Sequence, residues 1–316
     1  MPLDFTLGFQ PNLVGPQATP ERLRSLAIRA EEAGFDRLSV VDHVVLPVDP
    51  ESQYPYGVGT GAIDNDWWDP IVLLGMWAGI TKRVRLQTAV LVLPYRQPVL
   101  AAKMLASIDA ISGGRLELGI GTGWLKEEFE ALDTAPFEAR GRVTNEYIAA
   151  FRELWSQPFP KFEGEFVRFA GIAMHPKPVQ PGGIPILVGG TTAPALRRAA
   201  LLGDGWQPLK LSDDALTAGI ARIHEIASEH GRELPDTFQV SLRYGVRVTD
   251  RDAERRVGED DDRALVGDPD QIVAGIRRLQ AAGATDIMFD VRTCSDDEID
   301  ETLDRFERDI IPQLAG

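Results

Sequence analysis

Eight times along this chain a short apolar run is followed by a segment of helical periodicity, and that alternation leaves few folds open. The runs cover residues 5–10, 37–41, 85–93, 115–120, 185–188, 205–206, 238–248 and 285–291. The helical segments between them mark their own ends. Thr19-Pro20-Glu21 supplies a capping residue and then proline at the first helical position. Leu23, Leu26, Ala27, Ala30 and Ala33 keep the helical period, and Gly34 stops it. Asp69-Pro70 opens the next helix, and 98–111 is another, closed by Gly113-Gly114. Residues 138–155, 213–230, 269–282 and 296–314 carry the same pattern. Strand–helix alternation of this kind means a parallel sheet. Eight repeats predict a closed (β/α)8 TIM barrel, with 1–316 as a single domain. The run at 85–93 is nearly continuous in apolar residues, as for a strand buried on both faces. Two stretches break the rhythm. One is a loop at 44–66, rich in Pro, Gly and Tyr, of a length usually kept for functional lids. The other, 156–183, reads as an insertion between the fourth and fifth strands with a hairpin around Glu163-Gly164.

The 316 residues carry a net charge of −15. So acidic a chain lacks the basic face that nucleic acid requires. The acid-rich stretch 250–263 reads as a solvated helix or loop, and no metal site is expected. The four histidines, His43, His175, His224 and His230, are scattered, and the spacing of the last two puts them on different helix faces. The longest apolar stretch, 71–80, contains Gly75 and Gly79 and is too short to cross a bilayer, so no membrane partner is expected. The start, M-P-L-D-F, lacks the pattern of a secretory signal. Cys294 is the single cysteine, so no disulfide framework is available and a cytoplasmic setting is expected. No G-x-S-x-G elbow is present for serine nucleophile chemistry.

Residues 112–128, S-G-G-R-L-E-L-G-I-G-T-G-W-L-K-E-E, combine a strand, a glycine turn and the start of a helix. Gly119, Gly121 and Gly123 let the backbone turn sharply and approach a ligand without a Cβ in the way. Amides at the start of the following helix would meet something polar or anionic. The same letters fit the first motif of a Rossmann-type methyltransferase. That fold needs a second strand soon after, ending in an acidic residue. Here a long helical run follows instead, and Trp124 stands where the last glycine of G-x-G-x-x-G belongs.

Four segments together make the chain similar to the luciferase-like flavin and deazaflavin oxidoreductases. They are V-V-D-H after the second strand, L-P-Y-R-Q-P at 93–98, S-G-G-R-L-E-L-G-I-G-T-G-W at 112–124, and H-P-K-P-V-Q-P-G-G-I-P-I-L-V-G-G at 175–190. They span the first two-thirds of the chain; the final third matches by pattern only. Within the family, the chain resembles the branch that uses coenzyme F420 more than the long-chain aldehyde luciferases. The resemblance implies an oxidoreductase passing a hydride between F420 and a small, apolar organic substrate, and a homodimer. The alternatives are an FMN-dependent monooxygenase and a non-catalytic barrel that binds a cofactor as carrier or sensor.

The same resemblance implies where the cofactor sits, at the carboxyl ends of the strands. A non-proline cis peptide at Ala89-Val90 would lie against the middle of the ring. Gly121, Thr122 and Gly123 would run beside the ring or its chain. Gly189, Gly190 and Thr191 offer amides and a hydroxyl as a nest for a phosphodiester. His43 would bond a ring carbonyl or shuttle a proton. Asp42 would orient His43, contact the cofactor's side chain, or cap a loop. Some relatives that oxidise sugar phosphates carry a glutamate proton donor directly after G-T-G. Trp124 stands there in this chain, which argues against a sugar-phosphate substrate. Trp67, Trp68, Trp124 and Trp206 either line an apolar pocket or fill the core.

Overall fold

Thr19 accepts a hydrogen bond from the Arg22 amide through its hydroxyl (3.2 Å), just ahead of Pro20. Asp69 accepts from the amides of Ile71 and Val72 (2.9 and 3.0 Å), just ahead of Pro70. Caps of this kind satisfy amides that have no partner inside the helix and are each worth about 0.5–2 kcal/mol. A computed structural model describes residues 5–54, 65–209, 211–250, 253–256, 259, 264–292 and 294–315. In chain order the elements are β1 (Thr6–Gln10), α1 (Pro20–Glu32), β2 (Arg37–Val40), α2 (Pro70–Ile80), β3 (Arg85–Val92), α3 (Pro98–Ser112), β4 (Leu116–Gly121), α4 (Lys126–Leu132) and α5 (Arg140–Ser156). There follow β5 (Phe162–Glu163), β6 (Arg168–Phe169), β7 (Ile186–Gly189), α6 (Ala193–Leu202), β8 (Gly205–Gln207), α7 (Asp213–Glu229), β9 (Gln239–Val248), β10 (Ala264–Gly267), α8 (Pro269–Ala281), β11 (Asp286–Asp290) and α9 (Asp296–Arg305). Among the described residues no helix is long and apolar enough to cross a membrane.

Strands β1, β2, β3, β4, β7, β8, β9 and β11 pair in parallel, and β9 closes the ring by pairing with both β8 and β11. This is the (β/α)8 TIM barrel that the alternation predicts. Between β4 and β7, β5 and β6 pair antiparallel, Phe162 opposite Phe169, as the hairpin expected there. Three details depart from the sequence reading. Strand β10 is an addition, paired in parallel with residues 245–248 of β9. In the acid-rich stretch before it, Glu259 is buried rather than solvated, and both its oxygens hold Arg247 at 2.8 Å. The last helix is not continuous: α9 passes through a π turn at Phe306–Ile310 before Ile311–Leu314. Pro312 has no amide to give to the carbonyl four residues back, and its ring displaces that carbonyl, so the ladder widens there.

Side chains on a strand alternate between the barrel lumen and the surrounding helices. Contacts that skip strands identify the lumen set. Arg37 on β2 reaches Glu117 on β4 (2.6 Å), Gln239 on β9 reaches the same carboxylate (3.2 Å), and Gln207 on β8 reaches Gln87 on β3 (3.0 Å). Strand β3 is buried on both faces as expected, but its lumen face is not wholly apolar, because Gln87 faces other polar groups there. At the amino-terminal ends of the strands these groups make a closed floor. Arg37 sits between Glu117 and Asp286 (2.6 and 3.0 Å), Arg85 takes the second Glu117 oxygen, and Ser241 donates to Asp286 (2.9 Å). Arg115, from the S-G-G-R run, donates to the carbonyls of Ala78, Thr81, Val84 and Ser112 at 2.7–3.0 Å. It ties the ends of α2 and α3 to the start of β4.

Burial pushes the Asp286 carboxyl up to about 6 against the pull of Arg37, and the neighbouring Glu117 carboxylate adds to the push. The folded protein then holds a proton that the unfolded chain has released. The stability from this group is full below about pH 4 and falls as pH rises through about 6. Asp286→Asn cannot ionise. Its stability relative to the wild type is expected to rise by roughly 3 kcal/mol between about pH 4 and about pH 7, read from urea denaturation at both values. Parallel pH dependence in the two proteins would contradict this.

Candidate active site

His43 lies just beyond β2, at the carboxyl-terminal end of the barrel. Its ring stands edge-on to Trp67 (centroids 4.9 Å apart) and to Trp124 (6.2 Å), and Tyr54 packs on Trp124 (5.1 Å). Nδ1 of His43 is 3.0 Å from Oε2 of Glu128. The other oxygen of Glu128 accepts from the amides of Val44 and Val45 (2.6 and 3.1 Å). Sequence reasoning missed Glu128, although a signal existed. Leu125, Glu128, Phe129 and Leu132 recur at the spacing of a buried helix face, and a carboxylate in that stripe needs a partner. Helix α4 is set at this angle by Gly123, whose φ is +82°. A Cβ there would run into the Phe129 ring and Val92. Phe129 in turn packs on Tyr95 and Phe137 (5.0 and 5.3 Å). Glu127 accepts from the amides of Glu51 and Ser52 (2.7 and 2.9 Å). Partial burial opposes its charge, but the Ser52 hydroxyl and these amides hold its carboxyl at about 2. Adjacent glutamates of α4 thus grip the loop that follows His43; residues 55–64 of that loop lie outside the described residues.

Asp42 does not meet His43, and this corrects the pairing suggested by the sequence. Its Oδ2 accepts from the Val92 amide (2.8 Å) and from Arg96 (2.7 Å), and its Oδ1 accepts from the same guanidinium (2.9 Å). Arg96 also holds Asp69 (2.8 Å). Burial pushes the Asp42 carboxyl up, while Arg96 and the Val92 amide pull it down. None of its side chain is exposed. It ties the end of β2 to the end of β3 and the start of α2, and so fixes where His43 begins.

The Ala89-Val90 peptide bond is cis, at the position the resemblance implies, within a shift of register between β3 and β4. The Val90 methyl groups fill the space that Gly121 and Gly189 leave. A Cβ on either glycine would lie 2.6 or 2.9 Å from them. Gly119 likewise makes room for the Gln207 carboxamide and the Thr88 carbonyl. The sequence reading gave the glycines of β4 to ligand approach; the protein's own packing requires them first. Thr122 is partly exposed between Gly121 and Gly123 at the same edge.

Of the four tryptophans considered, the structure brings Trp67 and Trp124 to His43 and sends two elsewhere. Trp68 donates to the Ala18 carbonyl (2.7 Å) and packs on the core. Trp206 is buried between β8 and α7, where it abuts Gly219, and donates to the Gly190 carbonyl (2.8 Å). Its neighbour Gln207 faces the lumen, so strand parity turns Trp206 outward. The indole Nε1 of Trp67 is buried and has no hydrogen-bond partner among the described residues.

Strand β7 ends at Gly189, and Gly190 takes a φ of +99° before α6. Thr191 is partly exposed beside it. Thr192 makes no side-chain cap, which leaves the first amides of α6 open to another acceptor. Two arginines near this end have only neutral acceptors among their described hydrogen bonds. Arg198 is buried and donates to Asn145 and to the Gly141 carbonyl (2.5 and 3.1 Å), and burial lowers its pKa. Arg140 donates to the carbonyls of Gly123 and Phe137 (3.2 and 3.0 Å). Sequence reasoning also missed Arg243 and Asp290 in the upper lumen. Asp290 pairs with Arg243 (2.7 Å) and with Arg292 (2.8 Å). Burial disfavours its charge, but Arg292 and Arg243 keep its carboxyl below the ordinary value.

Residues 4–260 match the profile of the luciferase-like monooxygenases. The chain is 29% identical over 248 residues to the F420-dependent glucose-6-phosphate dehydrogenase of Amycolatopsis mediterranei, covering 76% of this chain and 68% of that one. It is 30% identical over 210 residues to the FMNH2-dependent dimethylsulfone monooxygenase of Pseudomonas putida, covering 66% of this chain and 54% of that one. The solved structure of an F420-dependent secondary alcohol dehydrogenase, in complex with an F420-acetone adduct, superposes with a TM-score of 0.80 at 19% identity, over 98% of this chain and 99% of that one. That last likeness is one of fold. Relatives of the chain therefore include both deazaflavin- and FMN-dependent enzymes. With the profile match covering most of its length, the chain belongs to the luciferase-like monooxygenase family.

Proposed function

We propose that the chain is an F420-dependent oxidoreductase that passes a hydride between the deazaflavin and an electrophilic carbon of a small, largely apolar organic molecule. The observation that carries the reading is the pairing of His43 with Trp67 at the barrel mouth. Nε2 of His43 has no partner among the described residues, and the neighbouring Trp67 indole N–H has none either. The free ring nitrogen suits one polar atom, the oxygen of a carbonyl or alcohol, within a wall of Trp67, Trp124 and Tyr54. For the anionic part of the cofactor, the uncapped start of α6 at Gly189, Gly190 and Thr191 is a fitting acceptor site. Arg140 and Arg198 add positive potential near it. Ala89, Val90, Gly121, Thr122 and Gly123 form the edge that would support the ring.

When bound, a deazaflavin supplies two-electron hydride chemistry. The chain's own residues handle the proton and the setting. Doubly protonated His43 gives its Nε2 proton as a carbonyl oxygen becomes a hydroxyl, and the neutral ring takes it back at that nitrogen in the reverse direction. Trp67 packs edge-on against the imidazole and holds the ring in place. Trp124 and Tyr54 keep water away. Trp124, in place of a glutamate directly after G-T-G, favours an apolar substrate over a sugar phosphate.

Fluorescence titration of the purified protein with F420 and with FMN tests the cofactor assignment. The expected result is F420 affinity at least about tenfold tighter than FMN affinity, a difference of about 1.4 kcal/mol. Tight FMN binding with no F420 binding would overturn the reading in favour of an FMN-dependent monooxygenase.

A further inference from the structure

We infer that Glu128 is a positioning residue that fixes the proton of His43 on Nδ1, leaving Nε2 as the lone pair presented to the barrel mouth. The inference rests on the reading of His43 as the proton carrier. Glu128 touches neither the mouth nor solvent: its side chain is fully buried. It therefore acts through His43. Its two oxygens are used asymmetrically. Oε1 accepts from the amides of Val44 and Val45, and Oε2 faces Nδ1 at 3.0 Å. A carboxylate of this kind accepts and cannot donate, so the nitrogen facing it carries the hydrogen.

The other charged groups nearby are already engaged. Asp42, Arg96 and Asp69 form their own triad. On the remaining sides His43 meets the Trp67 and Trp124 rings. Burial first, and then the Glu128 charge, push the Tyr95 hydroxyl well above its ordinary value, so Tyr95 stays protonated beside that carboxylate. The Val44 and Val45 amides hold Glu128 by the very segment that carries His43. The carboxylate thus sets both the place of the imidazole and which nitrogen bears the proton, an arrangement in which a buried third group orients a base.

The test is nitrogen-15 NMR of the His43 ring in the cofactor-free protein, wild type and Glu128→Gln, alongside turnover with F420. In the wild type the neutral ring is expected in the Nδ1–H form; an Nε2–H ring would overturn the inference without any variant. In Glu128→Gln the carboxamide oxygen can still accept from Val44 and Val45, which turns its NH2 toward Nδ1. The ring is then expected to switch to the Nε2–H form, and turnover to fall about 10- to 100-fold with unchanged F420 affinity. An unswitched ring in the variant would overturn the role of Glu128. A switched ring with unchanged turnover would instead overturn His43 as proton carrier, leaving the hold of Glu128 on the tautomer intact.

Discussion

Arg37→Met is expected to lower the stability of the folded chain by about 3–5 kcal/mol, the cost of removing one partner from a buried ion cluster. Arg37 is the cation between Glu117 and Asp286, and all three side chains are almost wholly buried. Methionine replaces most of the volume, so the loss is electrostatic rather than a cavity. The variant leaves two carboxylates facing each other with Arg85 as the remaining cation on Glu117. Protonating a carboxylate relieves that repulsion. The loss is therefore expected to be largest at about pH 8 and smaller at about pH 5, because carboxyls raised in the folded state stabilise it as pH falls. Urea denaturation at the two pH values reads both the size and the sign. A loss under about 1 kcal/mol at the higher pH would mean that the cluster is not held by Arg37.

On the proposed reaction, His43→Ala is expected to leave F420 affinity within about threefold and to lower turnover by about 100- to 10,000-fold, the range for a positioned proton donor. The side chain is 13% exposed and packs on aromatic rings rather than in the core, so the barrel should fold unchanged. Turnover is followed by the absorbance of oxidised F420 in either direction. An unchanged rate would remove His43 from the reaction.

The architecture was legible because each strand–helix repeat announces itself locally, in apolar period and capping chemistry. Thr19-Pro20 and Asp69-Pro70 locate helix starts without any tertiary information. The polar lumen was legible in principle and went unread. Gln239, Ser241 and Arg243 alternate with Val240, Leu242 and Tyr244, and Thr6, Gly8 and Gln10 alternate with Leu7 and Phe9. An apolar count merges such a strand into one buried run, whereas parity separates its two faces. The site was harder. Glu128 meets His43 across 85 residues of chain, and adjacency pointed to Asp42 instead. Asp42 has its own tertiary partner in Arg96, four residues past the end of β3, which no local pattern could reveal. The tryptophans divided by strand parity and loop path: Trp206 sits on an outward strand position, while Trp67 and Trp124 follow loops that converge on the mouth.

The charged floor has a consequence for traffic. Arg37, Glu117, Gln239 and Asp286 stopper the cylinder at one end, so a molecule that reaches His43 comes from the opposite end. On the proposed function, a cofactor seated below the substrate would have to arrive first and depart last.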